Sequence, residues 1–420
     1  MCQVWIAKPK IMNHILRQSY INKVERMFGK DTIIVLVGQR RIGKSYLLRQ
    51  IRDIKSREAD NNVIFVDKEK KEFDEIRNYR DLNAYIDAHR IEGRKNYILV
   101  DEIQDIVEFE RTVRSYREES DVEIVITGSN SEMLSSELST IIGGRYREIY
   151  VQALGYEEFL TFHGLPDNDQ SLVGYIQFGG LPGLEKMGLD EIDARGYQRD
   201  VLNTVLLKDV IIRNKIRNSF FLERLAVFLA DNTGKMISAN GISKYMKSQG
   251  QNVTPSAVIN YIKALCEAYV IHKVNRYDIH GKRVFETNDK YYFEDNGIRN
   301  CLAGGSREGD IEKVIENVVY NHLVRLGYDV FVGQLQAAEV DFVCMKPTGE
   351  RAYVQVAYII ANEVTRRREF GNLSAINDNY PKYVISMTPL VTRNDDNGIT
   401  HLHLRRFLKE GLVLLLSAKP

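Results

Sequence analysis

The sequence has little that would set it apart from an ordinary globular chain. Neither sign of charge is in excess: Lys+Arg 58 against Asp+Glu 57 gives a net +1. No global field therefore draws it to nucleic acid or to an acidic membrane, and any basic surface has to be local. No run approaches the roughly 18 apolar residues of a membrane helix. The start, Met1-Cys2-Gln3-Val4-Trp5, lacks the charged-then-apolar layout of a secretory signal. Cysteines are few, and Cys2, Cys266, Cys301 and Cys344 are scattered without paired spacing, which argues against a disulfide framework and against a zinc site. These absences predict a cytoplasmic protein with no membrane contact. What is present is an ordinary composition, 44% hydrophobic and 27% charged, over 420 residues. That length is too great for one core and predicts two or three domains.

The most informative run is Gly38-Gln39-Arg40-Arg41-Ile42-Gly43-Lys44-Ser45, directly behind the apolar stretch Thr32–Val37. It fits G-x-x-x-x-G-K-[ST] between a strand and a helix, which is where that pattern functions. The glycines let the backbone curl so that successive N–H groups face phosphate oxygens. Lys44 then reaches the β- and γ-phosphates, and the Ser45 hydroxyl takes a position on Mg²⁺. The helix beginning near Tyr46 adds its positive end to anion binding. The run 38–46 is therefore the expected ATP-binding segment.

A second run, Asn96-Tyr97-Ile98-Leu99-Val100-Asp101-Glu102, reads as a buried parallel strand delivering two acids at its carboxyl edge, where open α/β sheets bind ligands. Asp101 is the candidate Mg²⁺ ligand, and Glu102 the candidate general base that orients the attacking water. The apolar run 121–128 ends in Ser129 and Asn130, either of which could touch the γ-phosphate, although a plain turn needs no function there. Arg145 follows on a glycine turn before a last core strand. It could act as an arginine finger on a neighbouring subunit, or simply pair with an acid.

Taken in order, the P-loop, Val100-Asp101-Glu102-Ile103-Gln104, Thr127-Gly128-Ser129-Asn130, Gly144-Arg145-Tyr146 and Phe178-Gly179-Gly180-Leu181-Pro182 resemble the predicted prokaryotic ATPases of the AAA superfamily. The resemblance covers essentially the whole chain. It implies an α/β class: a P-loop AAA-type parallel-sheet core with a helical lid, then a winged helix and a C-terminal PD-(D/E)xK-like α/β domain. It assigns phosphate and Mg²⁺ binding to Lys44 and Ser45, the Walker B roles to Asp101 and Glu102, the sensor to Asn130 and the finger to Arg145. One departure is visible, since Ala153-Leu154-Gly155-Tyr156 stands where that family places a Pro-Leu-Ser-Phe-like turn.

The expected units are a core over 1–165, a lid over 166–232, a winged helix over 233–300 and a nuclease-like part over 301–420. In the lid, Val201, Val205, Leu206, Val210 and Ile211 share one helical face, with Lys208, Asp209 and Arg213 on another. The breaker Phe178–Pro182 is placed to hinge near the nucleotide. In the third unit Ser238 caps a helix containing Ile242, Tyr245 and Met246. A second helix follows Thr254-Pro255 with Val258, Tyr261, Ile262 and Leu265 inward, and then a hairpin. Ser256, Asn260 and Lys263, with Lys273, Arg276, Lys282 and Arg283 near the wing, would face DNA if this unit binds it; packing against a protein is the equal alternative.

In the last unit the order helix, strand, strand, strand looks like the PD-(D/E)xK nuclease fold. Asp341 fits the first metal acid and Glu316 the helix acid. Gln355 and Ala357 fill the slots of the second acid and the lysine that activates water. A vacated lysine position could be served by Lys346 or Lys382, but the pattern favours a domain that does not cut DNA. The combined expectation is a Mg²⁺-dependent ATPase, in a homo-oligomer, whose C-terminal modules contact DNA or a protein. The alternatives are a slow nucleotide switch acting only through protein contacts, and an ATP-regulated nuclease.

Overall fold

The computed structural model describes residues 15–129, 144–305, 308–335, 338–389, 394–396 and 398–412. Its first sheet is all parallel, with strands β1 (Ile33–Val37), β2 (Asn61–Asp67), β3 (Lys95–Asp101), β4 (Val122–Gly128) and β5 (Tyr146–Tyr150) in the order β2-β3-β4-β1-β5. All five residues of β1 are buried, as is usual for a strand covered on both faces. One apolar layer holds Leu36, Leu48, Ile51 and Val125 beneath the lid; the other holds Val35, Ile64, Ile98 and Ile126. The P-loop therefore leaves the middle of the sheet, between the acids at the end of β3 and the edge strand β5.

A second, mixed sheet has eight strands: β6 (Ile271–Asp278), β7 (Arg283–Phe293), β8 (Asp329–Leu335), β9 (Ala338–Met345), β10 (Arg351–Ala357), β11 (Lys382–Ser386), β12 (Asn394–Asp396) and β13 (Ile399–His403). Their order is β12-β13-β11-β10-β9-β8-β6-β7. The hairpin β6–β7 joins this sheet because Arg276, Tyr277 and Asp278 pair in parallel with Val332, Gly333 and Gln334. The two-helix-and-hairpin unit and the C-terminal strands thus share one continuous sheet.

The two helices of that unit begin as their caps require. The Ser238 side chain accepts from Gly241 N ahead of Ala239–Ser248, and Thr254 caps Pro255–Glu267, whose proline occupies the first turn. Tyr245 is 47% exposed and lies against Phe228, with ring centroids 4.7 Å apart. The lid segment Val205–Ile212 is a π-helix following the α-helix Glu191–Thr204. Its i to i+5 bonding widens the turn and brings Asp209, expected outward, to 1% exposure. The Phe178–Pro182 breaker is a tie between elements: Gly180 N donates to Asp295 Oδ2 at 2.6 Å, and Leu154 N donates to Gly180 O at 2.7 Å. Among the described residues, no helix is long and apolar enough to cross a membrane.

Candidate nucleotide site and a second acidic cluster

The loop after β1 turns on Gly38, whose φ is +142°; a Cβ there would sit 2.3 Å from the carbonyl oxygen of Val151. Only glycine fits that approach. Gly43, also at positive φ, leads into the helix Lys44–Lys55. Lys44 is buried, and its ammonium donates to Gly38 O at 2.8 Å and to Gln39 O at 2.9 Å. Burial holds its pKa below the usual lysine value, against the attraction of Glu102 and Asp101. The run 38–46 thus forms one curl, with Ile42 buried, Arg41 and Tyr46 outward, and Ser45 half-buried at the start of the helix.

Asp101 closes β3 at zero exposure. Thr127 Oγ1 donates to its Oδ1 at 2.5 Å, and the same hydroxyl accepts from Glu102 N at 3.0 Å. Burial raises the Asp101 pKa, with Thr127 and the facing Ser45 hydroxyl pulling it back. Glu102 takes a left-handed backbone, φ +51°, an uncommon and costly conformation for this residue type, and Gln104 Nε2 donates to its carboxylate. Two groups here stand out: Asp101 Oδ2 and both amide atoms of Gln39 are buried with no hydrogen-bond partner. Buried polar atoms of this kind call for a partner, and here they lie at the curl of the P-loop and the acids of β3. A carboxylate oxygen beside a serine hydroxyl is the donor set that Mg²⁺ prefers.

The lid closes over this edge in a way the sequence reading missed. Asp209 accepts from Arg40 Nε at 3.0 Å and Nη2 at 3.1 Å, and from Ser129 Oγ at 3.3 Å, with Arg213 Nη1 3.8 Å away. That bond raises the Arg40 pKa although burial opposes it. Thr127, Gln104 and Asp209 therefore join the candidate set. Arg145 does not approach its own P-loop. Its carbonyl accepts from Ile33 N, at the opposite end of β1, roughly 16 Å from Gly38 at the usual strand rise. Asn130 lies outside the described residues.

Beneath the P-loop, Arg17 donates to Ile42 O at 3.2 Å, to Gln152 O at 3.0 Å and to both oxygens of Glu158, at 2.9 Å and 3.0 Å. Arg325, from the helix Ile311–Arg325, donates to Glu158 Oε2 at 3.0 Å and to Ala153 O. A Cβ on Gly155 would lie 2.8 Å from Arg325 Nε, which explains glycine in place of serine in the turn where this chain departs from the expected pattern.

Comparison with known proteins agrees with this geometry. Residues 30–160 match the family described as an AAA domain, and residues 169–309 match a domain of unknown function, DUF8612. An uncharacterized protein of Haemophilus influenzae is 33% identical over 380 residues, covering 89% of this chain and 93% of that protein. The chain belongs to that protein's family, and its core is an AAA-type P-loop domain. An uncharacterized protein of Methanocaldococcus jannaschii is 27% identical over 355 residues, 81% of this AAA-domain chain and 77% of its own length. Among solved structures, a Walker-type ATPase of Pyrococcus abyssi aligns with a TM-score of 0.44 at 15% identity, covering 71% of this chain and 99% of its own. AMPPCP-bound DnaA from Aquifex aeolicus aligns with a TM-score of 0.31 at 14% identity, over 61% and 90%.

The residues singled out in the C-terminal part of the AAA-domain chain also converge. Glu316 and Asp341 meet near Glu339, and Gln355 Oε1 accepts from Asp341 N at 3.4 Å. Ala357 closes β10, buried. Lys346 and Lys382 are engaged elsewhere, with Glu350 at 2.9 Å and with Asp378 O at 2.9 Å. The basic residues near the wing have acidic or polar partners: Lys263 with Glu267 at 3.1 Å, Lys273 with Asp289 at 3.1 Å, Arg283 with Asp278 at 3.7 Å and Arg276 with Gln334 at 2.5 Å.

Proposed function

We propose that this chain is a cytoplasmic ATP hydrolase that works with Mg²⁺ as a homo-oligomer, its turnover shifting the units 233–300 and 301–420 against a partner. The observation that carries the reading is the meeting of Lys44, Ser45, Asp101 and Glu102 at the carboxyl edge of a parallel sheet, with Asp101 Oδ2 left unpartnered. In this reading the amides of 38–46 and the Lys44 ammonium hold the phosphates, and Ser45 with Asp101 would hold Mg²⁺. That ion supplies charge neutralisation on the β- and γ-phosphates. Glu102, anchored by Gln104, takes the proton of the attacking water. Asn130 senses the γ-phosphate, and Arg145, whose exposed guanidinium lies 4.0 Å from Asp31 at the far end of β1, serves the site of a neighbouring copy. The boundaries 1–165, 166–232, 233–300 and 301–420 divide the chain into core, lid, winged helix and nuclease-like part.

For the winged-helix unit, pairing of Lys263, Lys273 and Arg283 with acids favours a protein surface over DNA, since a phosphate contact through any of these three would first have to break an ion pair. Two experiments test the whole. ATP binding to the wild type, lost in Lys44→Ala and kept without turnover in Glu102→Gln, supports the catalytic division; equal loss of binding in both sinks it. Tight, steeply salt-dependent binding to duplex DNA would return the unit to nucleic-acid recognition.

A further inference from the structure

A lysine from the preceding unit stands at the acidic cluster of the nuclease-like part, where the strand pattern itself offers only Ala357 in the lysine slot. Lys290, on the edge strand β7, is 3% exposed. Its ammonium donates to Glu316 Oε1 at 2.9 Å, stands 2.7 Å from Glu339 Oε1 and lies 3.8 Å from Asp341 Oδ1. The three acids come from two elements, Glu316 from the helix Ile311–Arg325 and the other two from β9. The remaining bonds are also taken within the protein. Tyr292 OH donates to Glu316 Oε1 at 2.5 Å, Val356 N donates to Asp341 Oδ2 at 2.8 Å, and Gln355 turns its oxygen to the Asp341 backbone.

In a metal-dependent nuclease these carboxylates would face a divalent cation about 2.0–2.1 Å from each oxygen. A lysine nitrogen standing among them at hydrogen-bond distance occupies that space and repels a second positive charge. The donor set is also poorer than that of a complete nuclease centre. Gln355 brings no charge, its oxygen is already used, and Ala357 has nothing to offer the water.

We propose that Lys290 is the resident cation of the Glu316–Glu339–Asp341 cluster, closing this centre to divalent metals and pinning the β6–β7 hairpin to the C-terminal sheet. This rests on the nuclease-like reading of the last unit and is independent of the ATPase reading. The lysine arrives from the hairpin, 51 residues before Asp341 in sequence, so the pin ties together two units otherwise expected to be separate.

The test is Mn²⁺ binding to the full chain without nucleotide, followed by loss of the free-ion paramagnetic resonance signal. Wild type and Asp341→Asn are expected to titrate identically, because the cluster takes no metal in either. Lys290→Met is expected to gain one Mn²⁺ per chain, and Lys290→Met with Asp341→Asn to lose it again. If Lys290→Met does not fold, Lys290→Gln, which keeps hydrogen-bond donors without the charge, replaces it. A wild-type Mn²⁺ site that Asp341→Asn removes overturns the proposal, as does a folded Lys290 variant that gains none. Mn²⁺-dependent DNA cleavage by the wild type, abolished by Asp341→Asn, would defeat both this proposal and the non-cutting reading. Binding without cleavage would defeat this one alone.

Discussion

Two acidic centres, each containing a buried lysine, sit in the same chain and are finished differently. At the P-loop, Lys44 bonds only backbone carbonyls, while Asp101 Oδ2 and the Gln39 amide are left over. Around Lys290 the ammonium is matched directly to carboxylates, and no buried side-chain atom of Glu316, Glu339, Asp341 or Gln355 is left without a partner. Buried polar groups left unsatisfied lower stability, so a protein keeps them where a ligand completes the set. The first centre is shaped for an incoming group and the second is completed by the protein itself.

Removing each lysine should separate the two most sharply. Lys290→Ala strands two or three acids in a low-dielectric pocket, and it is expected to lower unfolding stability by about 3–5 kcal/mol, read as a drop in thermal midpoint. Lys44→Ala breaks hydrogen bonds to two backbone carbonyls but no direct ion pair. It should leave the melt nearly unchanged while weakening ATP affinity on the order of 100-fold, measured with a fluorescent analogue. Large destabilisation by Lys44→Ala and none by Lys290→Ala would dissolve the contrast.

The next effect depends on pH and lies between the centres. Burial alone would raise the Glu158 pKa, but Arg17 and Arg325 outweigh it and hold the carboxyl at about 2. Because this folded value lies below the ordinary 4.5, its stabilisation is complete above that pH and is lost as pH falls toward 2. A shift of that size corresponds to about 3 kcal/mol. Denaturant melts of wild type and Glu158→Gln should therefore converge in acid and diverge above pH 4.5; parallel curves would contradict the pairing.

A smaller effect is expected at the lid. Asp209 holds the guanidinium of Arg40, a residue of the expected ATP-binding run; freeing it in Asp209→Asn should tighten ATP binding by about 1 kcal/mol, or several-fold. Calorimetric titration showing weaker binding would instead make Asp209 part of the nucleotide's own support. The smallest change is at the wing. Lys273→Ala, already paired with Asp289, should alter duplex DNA binding by less than about twofold in filter assays at moderate salt.

What was legible in the sequence follows from how local each requirement is. The P-loop and the β3 acids are contiguous runs, because a phosphate cradle needs neighbouring amides and a strand end needs neighbouring carboxylates; both lie where the pattern placed them. Asp209 was hidden because a π-helical turn shifts the face that regular periodicity assigns it. Lys290 was hidden because only the parallel pairing of β6 with β8 brings its hairpin beside β9. Lys346 and Lys382, the substitutes the sequence suggests, bond elsewhere, whereas the buried cation comes from the preceding unit. Glu158 reads in sequence as an ordinary helix-start acid, and indeed accepts from Gly155 N at 3.0 Å. Nothing in the run announces its two arginines.

That last carboxylate limits how the chain can be taken apart. Arg17, ahead of the first strand, and Arg325, at the end of a helix in the final unit, lean on the same Glu158, and Gln152 Nε2 reaches across to Asn321 O at 3.1 Å. A truncation that keeps only the motif-bearing first half would remove one arginine from this joint and leave the brace under the Ile42 carbonyl loose. A transplanted C-terminal half would in turn carry a buried guanidinium with no acid to meet it. The two halves are therefore expected to travel together, and a chimera should keep its function only when Arg17, Glu158, Gly155 and Arg325 are exchanged as a set.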